Sequence, residues 1–512
     1  MNLPHLAALL LVSLAAAAEP VAWHTRSWAR DAADTNLWRR VEREASWKPE
    51  ETAVIICDMW DRHWCAGATA RVAEMAPRMN AFLQEARRRG MVIIHAPSDT
   101  MDFYAAAPQR RRAQAVEKVA LPEAINEWKS LNAAKEPPLP IDDSDGGCDD
   151  EPPCQQGRAW TSQIAVLGLG PDDYLSDRGD EIYSILRKHG IRHVVILGVH
   201  TNMCVLGRPF SIRQMVSLKF DTVLVRDLTD TMYNSRRRPF VSHFVGTDLV
   251  VEHIERHWCP SVTSTDLLGG EPFRFAADRR KRVAFLVGED EYRTWETLPA
   301  FAAAELAWRG YELRWVTAPP GGGNDFTNAD ALRDADLVVV SVRRRAPAQA
   351  LLEALRAHLA AGRPVVGLRT ASHAFAPRGD VPAGHAAWPE FDQEVLGARY
   401  EGHFSNRSGE GDATRVRPAA GAEAHPVLAG VGGGFLSAAT LYRSRALAPT
   451  ATPLLVGACA AGEEPVAWVN TAGGRRTFYT SLGGPEDFAE PAFRRLLLNG
   501  VLWALGDRVP PG

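Results

Sequence analysis

The sequence predicts an α/β protein with two doubly wound, mostly parallel-sheet domains in tandem. Short, continuously apolar segments alternate with segments of helical periodicity, which is typical of parallel sheets covered by helices on both faces. This alternation stops at a Gly-rich stretch near residue 270 and then restarts. The chain has 512 residues, which suffices for more than one domain at ~100–200 residues each.

The first half comprises an N-terminal extension at 19–50 and a domain at 51–268. Apolar runs predict strands at 53–56, 92–95, 164–169, 193–199 and 222–225. Helical periodicity predicts helices at 71–89, 180–189 and 203–218. An acidic, Cys-containing insertion at 130–157, rich in Pro, Asp and Gly, interrupts this series and is predicted to be a loop.

A linker at 269–280 leads to a second domain at 281–507. Strands are predicted there at 282–287, 312–316, 337–342, 364–369, 453–458, 465–470 and 476–481. Helices are predicted at 297–309, 347–361 and 491–505. The stretch 376–435 is richer in Gly, Pro and His and is predicted to be irregular.

The first 18 residues differ in composition from the rest of the chain. Residues 6–18 are apolar and small, and they end in a run of alanines up to Ala18, which suits a signal-peptidase site. The run is shorter than the ~20 apolar residues that a membrane helix needs. We therefore expect a signal peptide at 1–18 cleaved near Ala18, a periplasmic or secreted protein, and no membrane span.

Two of the seven cysteines, Cys148 and Cys154, lie in the acidic insertion. An oxidising compartment favours a local disulfide between them. The aspartates of the same insertion carry oxygen ligands of the kind that Ca²⁺ takes. Their spacing is not that of an EF-hand loop, and it favours an acidic surface loop instead.

The charge balance excludes one class of partner. Lys and Arg total 58 against 62 Asp and Glu, a net charge of −4, and the basic runs are short and scattered. The chain therefore lacks the electrostatic footprint of a sequence-blind nucleic-acid-binding protein. We expect a small-molecule substrate and no nucleic acid, while the oligomeric state stays open, a homo-oligomer included.

Two polar residues follow predicted strands of the first domain, where ligands and catalytic groups gather in open α/β sheets. Asp58 follows the first strand, and Cys204 lies where a later strand gives way to a helix. A helix N-terminus lowers the pKa of a thiol and offers N–H groups to an oxyanion. Asp58 would then accept the thiol proton. A core cysteine and a capping aspartate fit the same spacing.

The sequence Gly-Val-His-Thr-Asn-Met-Cys-Val at 198–205, together with Asp58, resembles the isochorismatase-like cysteine hydrolases over about 50–265. The resemblance implies that Cys204 is the nucleophile and Asp58 its acid/base partner. It also implies a cis peptide bond between Val199 and His200, which would turn the His200 and Cys204 amides into an oxyanion hole.

The chain departs from this family in two respects. The family's triad lysine is missing from 164–177, so Arg158 or Arg178 is a candidate source of positive charge. The metal-binding pattern of nicotinamidases is also missing after the second strand. We therefore expect no metal and no cofactor.

Polar and aromatic residues crowd the same strand ends and predict a pocket for a small polar substrate, an amide or an ester. The candidate substrate-binding residues are Trp60, His63, Asn202 and Arg208.

The second domain ends in Phe-Tyr-Thr-Ser-Leu-Gly at 478–483 and a final helix closing at 499–506, which resemble the trehalose-utilisation (ThuA-like) domains over about 280–507. That resemblance implies a class I glutamine-amidotransferase-like fold. The turn at 369–373, where amidotransferases carry their nucleophilic Cys, has none, so glutaminase activity is not expected. The remaining candidate site residues are Glu289, Glu291, His373 and His403.

Together these features predict an exported hydrolase that acts on a C–N or ester bond through a Cys thioacyl intermediate, with an accessory ThuA-like domain linked to sugar metabolism. One alternative is a catalytically inactive carbohydrate-binding or scaffolding protein. A second alternative is a sugar-processing enzyme whose site lies in the ThuA-like domain.

Overall fold

The computed structural model describes residues 19–30, 38–318, 321, 323–406, 412–445 and 447–511. The predicted signal peptide at 1–18 lies outside the described residues. The chain divides into two compact units, Met1–Asp278 and Arg279–Gly512. This boundary falls inside the predicted linker at 269–280.

The first unit is an eight-stranded sheet with helices on both faces. Its strands are β1 Val21–Arg30, β2 Trp38–Trp47, β3 Thr52–Cys57, β4 Val92–Ala96, β5 Tyr174–Leu175, β6 His193–Val199, β7 Asp221–Asp230 and β8 Ser261–Val262. Its helices are α1 Ala66–Arg89, α2 Pro108–Gln114, α3 Gly179–Lys188, α4 Cys204–Gly207, α5 Ile212–Ser217, α6 His243–His257 and α7 Thr265–Leu268. The strand order is β2-β1-β8-β7-β6-β3-β4-β5, parallel from β8 to β5 and antiparallel at β1 and β2.

The central strand β3 shows why both faces need helices. Every residue of β3 is buried, and Ile55 pairs with Ile94 of β4 and Ile196 of β6. Val54 and Ile56 belong to the core cluster formed with α1, and Ile55 belongs to the cluster formed with α3. Because successive side chains of a strand point to opposite faces, one continuous apolar run supplies two cores. The predicted doubly wound α/β class is confirmed for this unit.

Three features of the first unit differ from the sequence-based prediction. Residues 164–169 form turns rather than a strand, and the short β5 pairs with β4 instead. The predicted helix at 203–218 divides into α4 and α5 around Pro209, since proline lacks the N–H that a continuous helix uses. The N-terminal extension forms the hairpin of β1 and β2 at the sheet edge, whose polar and aromatic residues gave no continuous apolar run.

The second unit is built on a nine-stranded mixed sheet. Its strands are β9 Arg282–Gly288, β10 Glu312–Thr317, β11 Leu337–Val342, β12 Val365–Leu368, β13 Arg399–His403, β14 Thr414–Pro418, β15 Phe435–Ser437, β16 Tyr442–Arg445, β17 Ala451–Cys459, β18 Gly462–Asn470 and β19 Thr477–Thr480. Its helices are α8 Thr294–Glu305, α9 Gln349–Ala360 and α10 Pro491–Leu505.

The order of this sheet is β10-β9-β11-β12-β19-β18-β17-β14-β15. It is parallel from β10 to β19 and antiparallel from β19 to β15. Strands β13 and β16 form a separate antiparallel pair. The stretch 376–435 was predicted to be irregular, and it contains β13 and β14. Across the described residues of both units, none of the helices combines the length and the apolar character that a membrane crossing requires.

Candidate functional site

Asp58 lies at the carboxyl end of β3, directly after the strand. Its backbone adopts φ +46°, in the left-handed region that non-glycine residues adopt infrequently and that Asp tolerates better than most. The side chain is fully buried. One carboxylate oxygen, Oδ1, accepts the Ser98 N–H at 2.7 Å, and Oδ2 accepts the Arg208 Nε–H at 2.9 Å. The carboxylate is therefore held by one neutral donor and one cation.

Cys204 reaches the same strand end because the chain passes very close to β3. Gly198 has φ +115°, and a Cβ there would lie 2.0 Å from the Cys57 carbonyl oxygen, so no larger residue fits. The next peptide bond, Val199–His200, is cis, which confirms that implication of the resemblance. Cys204 then begins α4 with 8% of its surface exposed.

Arg208 is the cation at this site. Besides its bond to Asp58, the guanidinium lowers the pKa of the neighbouring Cys204 thiol, and it lies 3.5 Å from the carboxylate of Asp99. The ring of Trp128 faces the guanidinium at 5.6 Å. The sequence assigned Arg208 to substrate binding, but its contacts join it to the two predicted catalytic residues.

The arginines proposed from sequence to replace the family lysine have other partners. Arg158 donates to the backbone carbonyl of Asp99, and Arg178 pairs with Asp180 at 3.0 Å.

The pKa of the Cys204 thiol differs in direction from the sequence-based expectation. Burial raises it, and the neighbouring Asp58 carboxylate raises it further, while Arg208 lowers it only in part. Helix α4 spans four residues, so its dipole is too small to reverse these effects. The thiol is consequently protonated at neutral pH, and the Asp58 carboxylate is close enough to raise its pKa.

Two backbone donors flank the thiol. Within the part of the chain that the structure describes, the N–H groups of His200 and Cys204 have no hydrogen-bond acceptor. The neighbouring amides are occupied, since Met203 and Val205 both donate to the His200 carbonyl. Unpaired amides next to a nucleophile are the donors that an oxyanion requires.

Aromatic rings line the same strand end. Trp60 stacks on Trp160 with centroids 4.2 Å apart, and His63 lies parallel to Trp160 at 5.9 Å. His200 meets His63 edge to face at 4.8 Å. Burial lowers the pKa of His63 to about 4 and that of His200 to about 3, so both rings are neutral at pH 7. Trp160 was missed from sequence because it precedes the predicted strand at 164–169, whereas the search for site residues followed the carboxyl ends of strands.

Asn202 supports the site rather than facing a ligand. Its side-chain amide donates to Asp143 at 2.7 Å and to the Met232 carbonyl at 3.1 Å, and its oxygen accepts the Met232 N–H. These bonds tie the acidic insertion to the loop that carries Cys204.

Most carboxylates of the acidic insertion have protein partners. Asp142 pairs with Arg237, Asp145 with Asn234, Asp149 with Arg71 and Glu151 with Arg236. These carboxylates, which the sequence suggested as Ca²⁺ ligands, are therefore used in pairs with cations and amide donors of the protein. The expected disulfide is not formed, because both Cys148 and Cys154 are free thiols.

In the second unit, three of the four predicted candidates line one cavity of about 510 Å³: Glu291, His373 and His403. The fourth, Glu289, is buried elsewhere and accepts the N–H groups of Tyr292 and Thr294, both at 2.7 Å. Glu289 therefore stabilises the N-terminal end of α8.

Arginines dominate the lining of this cavity. It includes Arg343, Arg344, Arg378 and Arg443 against two glutamates, Glu291 and Glu401. Burial and the nearby arginines lower the pKa of His373 to about 3, and its ring stacks on Tyr400 at 4.4 Å. The cavity thus combines excess positive charge with a neutral imidazole and tyrosine rings.

Arg369 occupies the turn after β12, where the amidotransferase-like fold would carry a nucleophile. It adopts φ +42° and is buried. Its guanidinium lies over the rings of Tyr292 and Tyr442 at 4.0 and 4.5 Å, and it donates to the Ser481 carbonyl at 2.7 Å. An arginine is always charged and supplies no nucleophile, so this turn lacks the chemistry of an amidotransferase site.

Comparison with known proteins gives three results. Residues 292–504 match the family model described as "ThuA: Trehalose utilisation", which confirms the resemblance of the second domain. Among solved structures, a ThuA-like protein from Parabacteroides merdae is 16% identical, with 46% of this chain and 93% of that chain covered and a TM-score of 0.36. No curated protein matches the chain.

Solved structures similar to the N-terminal half are isochorismatase-like cysteine hydrolases. A cysteine hydrolase from Pseudomonas syringae pv. phaseolicola is 16% identical, with 43% of this chain and 92% of that chain covered and a TM-score of 0.27. An isochorismatase family protein from Burkholderia thailandensis is 15% identical, with 43% and 94% covered and a TM-score of 0.25.

Proposed function

We propose that the first unit is a cysteine hydrolase that cleaves a C–N or ester bond of a small polar molecule. The observation that carries this proposal is the buried Asp58–Arg208 pair, which acts on the pKa of the neighbouring Cys204 thiol, together with the unpaired amides of His200 and Cys204. A core cysteine with a capping aspartate would need neither a buried cation nor free donors. The buried guanidinium of Arg208 therefore favours an enzymatic role for this unit over the catalytically inactive alternative.

The first half of the reaction forms a thioacyl enzyme. The substrate carbonyl oxygen takes the His200 and Cys204 N–H groups, and Asp58 removes the thiol proton as Sγ attacks the carbonyl carbon. The protonated Asp58 then gives that proton to the leaving nitrogen or oxygen as its bond to carbon breaks. In the second half, Asp58 takes a proton from water, the hydroxide attacks the thioester, and the thiolate leaves and is reprotonated.

Arg208 takes the place of the family lysine without shuttling a proton, because a guanidinium stays protonated throughout. It balances the charge of Asp58 and stabilises the thiolate that forms during attack. The neutral rings of Trp60, His63 and Trp160 form flat walls, which favour a planar amide, urea or ester group.

A trapping experiment tests the proposal. The full chain is incubated with a panel of small amides, ureas and esters, and the adduct mass at the Cys204 peptide is followed. We expect an acyl adduct that turns over in the unmodified chain and is not formed in Cys204→Ala. Cys259→Ala, which removes another buried thiol of the same unit, is the matched control. Hydrolysis that survives Cys204→Ala would disprove the mechanism.

We also propose that the protein is exported. This rests on the composition of residues 1–18 alone. Mass determination of the mature N-terminus after expression with a secretion system tests it: a chain beginning near Glu19 supports export, and an intact Met1 opposes it.

A second candidate function concerns the ThuA unit: binding of an anionic sugar derivative, a sugar acid or sugar phosphate. The excess of arginines around the 510 Å³ cavity favours it. Calorimetry with gluconate, glucose 6-phosphate and glucose should show binding of the anions only. Arg344→Met should abolish it, while Arg417→Met, which removes an exposed arginine paired with Glu463, should not. Equal binding of glucose would contradict the charge argument.

A further inference from the structure

Three thiols of the first unit surround a single carboxylate oxygen. The Sγ atoms of Cys154, Cys65 and Cys148 lie 3.2, 3.3 and 3.5 Å from Asp150 Oδ2. Cys65 and Cys148 are buried, and their Sγ atoms and the Asp150 oxygen lie within 4.8 Å of one another. We call these four residues the thiol cluster.

Hydrogen bonding alone explains the thiol cluster poorly. Asp150 Oδ2 also accepts the Gly67 N–H at 2.9 Å, so four donors converge on one oxygen. A carboxylate has about four lone-pair sites shared between two oxygens, which leaves Oδ2 with more donors than it can accept. Three thiols that gather around one carboxylate oxygen are better explained by a common centre that all four residues bind.

The distances match the edges of a tetrahedral zinc site. With Zn–S of ~2.3 Å and Zn–O of ~2.0 Å, tetrahedral ligands place S and O about 3.5 Å apart. The three S···O separations of 3.2–3.5 Å are close to that edge. The lengthening of at most about 0.3 Å that this edge requires is small compared with the freedom of three side chains.

The start of α1 stabilises the negative charge that such a site needs. Cys65 is the N-cap of this 24-residue helix, and its Sγ accepts the Ala68 N–H at 3.5 Å. The Gly67 N–H donates to Asp150 Oδ2 at 2.9 Å. Two amides of this helix N-terminus thus donate to two members of the thiol cluster, and the partial positive charge there offsets part of the negative charge that a metal's ligands carry.

We propose that Cys65, Cys148, Cys154 and Asp150 bind one structural Zn²⁺ ion. Three thiolates and a carboxylate complete its four-coordinate shell, so no position is left for substrate. This replaces the sequence-based expectation of no metal for this part of the chain. The ion joins the acidic insertion to the start of α1, and Asn202 joins the same insertion to the Cys204 loop. Metal binding would therefore order the site without taking part in hydrolysis.

The test uses the full chain and Co²⁺ as a spectroscopic probe. After removal of bound metal by a chelator under reducing conditions, Co²⁺ is titrated into the protein. We expect one Co²⁺ per chain, with sulfur-to-cobalt charge-transfer absorption and the intense visible bands of tetrahedral cobalt, all displaced by one equivalent of Zn²⁺. Bound Zn²⁺ should also protect three cysteines from alkylation.

Variants locate the ion. Cys148→Ser and Asp150→Asn should each weaken Zn²⁺ binding by more than the ~10–100-fold that loss of a merely supporting residue costs. Cys459→Ser, a half-buried thiol outside the thiol cluster, should change nothing.

Three results would overturn the proposal. The first is no charge-transfer band in the reduced, unmodified chain, which does not depend on any variant folding. The second is a disulfide between two of the three cysteines that is present in protein purified from an oxidising compartment and that resists mild reduction. The third is a site specific for Cu(I) that is unaffected by Asp150→Asn. None of these readouts uses hydrolysis, so the outcome is independent of the proposed function.

Discussion

Replacing Arg208 with methionine keeps an unbranched apolar stem but removes the guanidinium that pairs with Asp58 beside Cys204. The Asp58 carboxylate then retains the Ser98 N–H as its remaining donor. Because Asp58 is fully buried and its partner is 2.9 Å away, we expect a stability loss of ~3–5 kcal/mol, the usual cost of breaking a buried ion pair.

The effect on the nucleophile follows from Coulomb's law. Two unit charges ~4 Å apart interact by about 4 kcal/mol at an effective dielectric constant near 20. Arg208 shares its charge between Asp58 and the thiolate, and water enters the vacated space. We therefore expect Arg208→Met to remove a third to two thirds of that energy from the stabilisation of the thiolate, which corresponds to a ~10–100-fold decrease in the thiolate fraction. The pKa of Cys204, already raised by burial, should rise further.

The assay is the pH dependence of Cys204 alkylation in the full chain, followed by peptide mass spectrometry. In Arg208→Met the rate should fall ~10–100-fold at any pH where the thiolate is a minor species, and Arg208→Lys should restore most of it. Arg213→Met breaks an equally buried pair with Glu136 at 2.8 Å and should leave Cys204 unchanged. An unchanged or lower alkylation midpoint in Arg208→Met would refute the coupling.

Three further predictions concern the first unit. Asp58→Asn should lower hydrolysis by ~10²–10⁴-fold yet speed Cys204 alkylation, since it removes a charge that raises the thiol pKa; slower alkylation would contradict this. Because the pKa of His200 is lowered from 6.5 to about 3, the stability it contributes is present above pH 6.5 and is lost as pH falls toward 3. When the free energy of unfolding is plotted against pH, His200→Gln should therefore reduce the slope in that window by about 1.4 kcal/mol per pH unit. An unaltered slope would show that the ring is solvated in the folded protein. Arg71→Met should destabilise the unit by ~3–5 kcal/mol in thermal or urea unfolding, since it leaves buried Asp230 without its arginine; a loss below 1 kcal/mol would show that His243 alone compensates.

Local sequence patterns predicted most of the framework. Continuous apolar runs located β3, β6 and β9, and 3.6-residue periodicity located α1, α9 and α10. These signals are local because a strand buried on both faces must be apolar throughout. The same approach failed at 164–169, where apolar residues pack into the core from turns.

Part of the candidate site was also visible in the sequence. Asp58 and Cys204 follow apolar strands, and parallel strands bring their carboxyl ends to one edge. The resemblance to a hydrolase family added their roles and the cis bond at Val199–His200. In the second unit, His373 and His403 were candidates by residue type, and the fold places both on one cavity.

The sequence by itself determined which segments form strands and helices and which strand ends carry reactive groups, because burial and periodicity are properties of neighbouring residues. Only the tertiary structure decided that Arg208 pairs with Asp58, 150 positions away, that the Cys204 thiol is protonated at rest, and that Cys65 meets Cys148 and Cys154 around one carboxylate. Charge pairing and pKa depend on distance and burial between elements that are remote in the chain, and these quantities exist only once the sheet has brought those elements together.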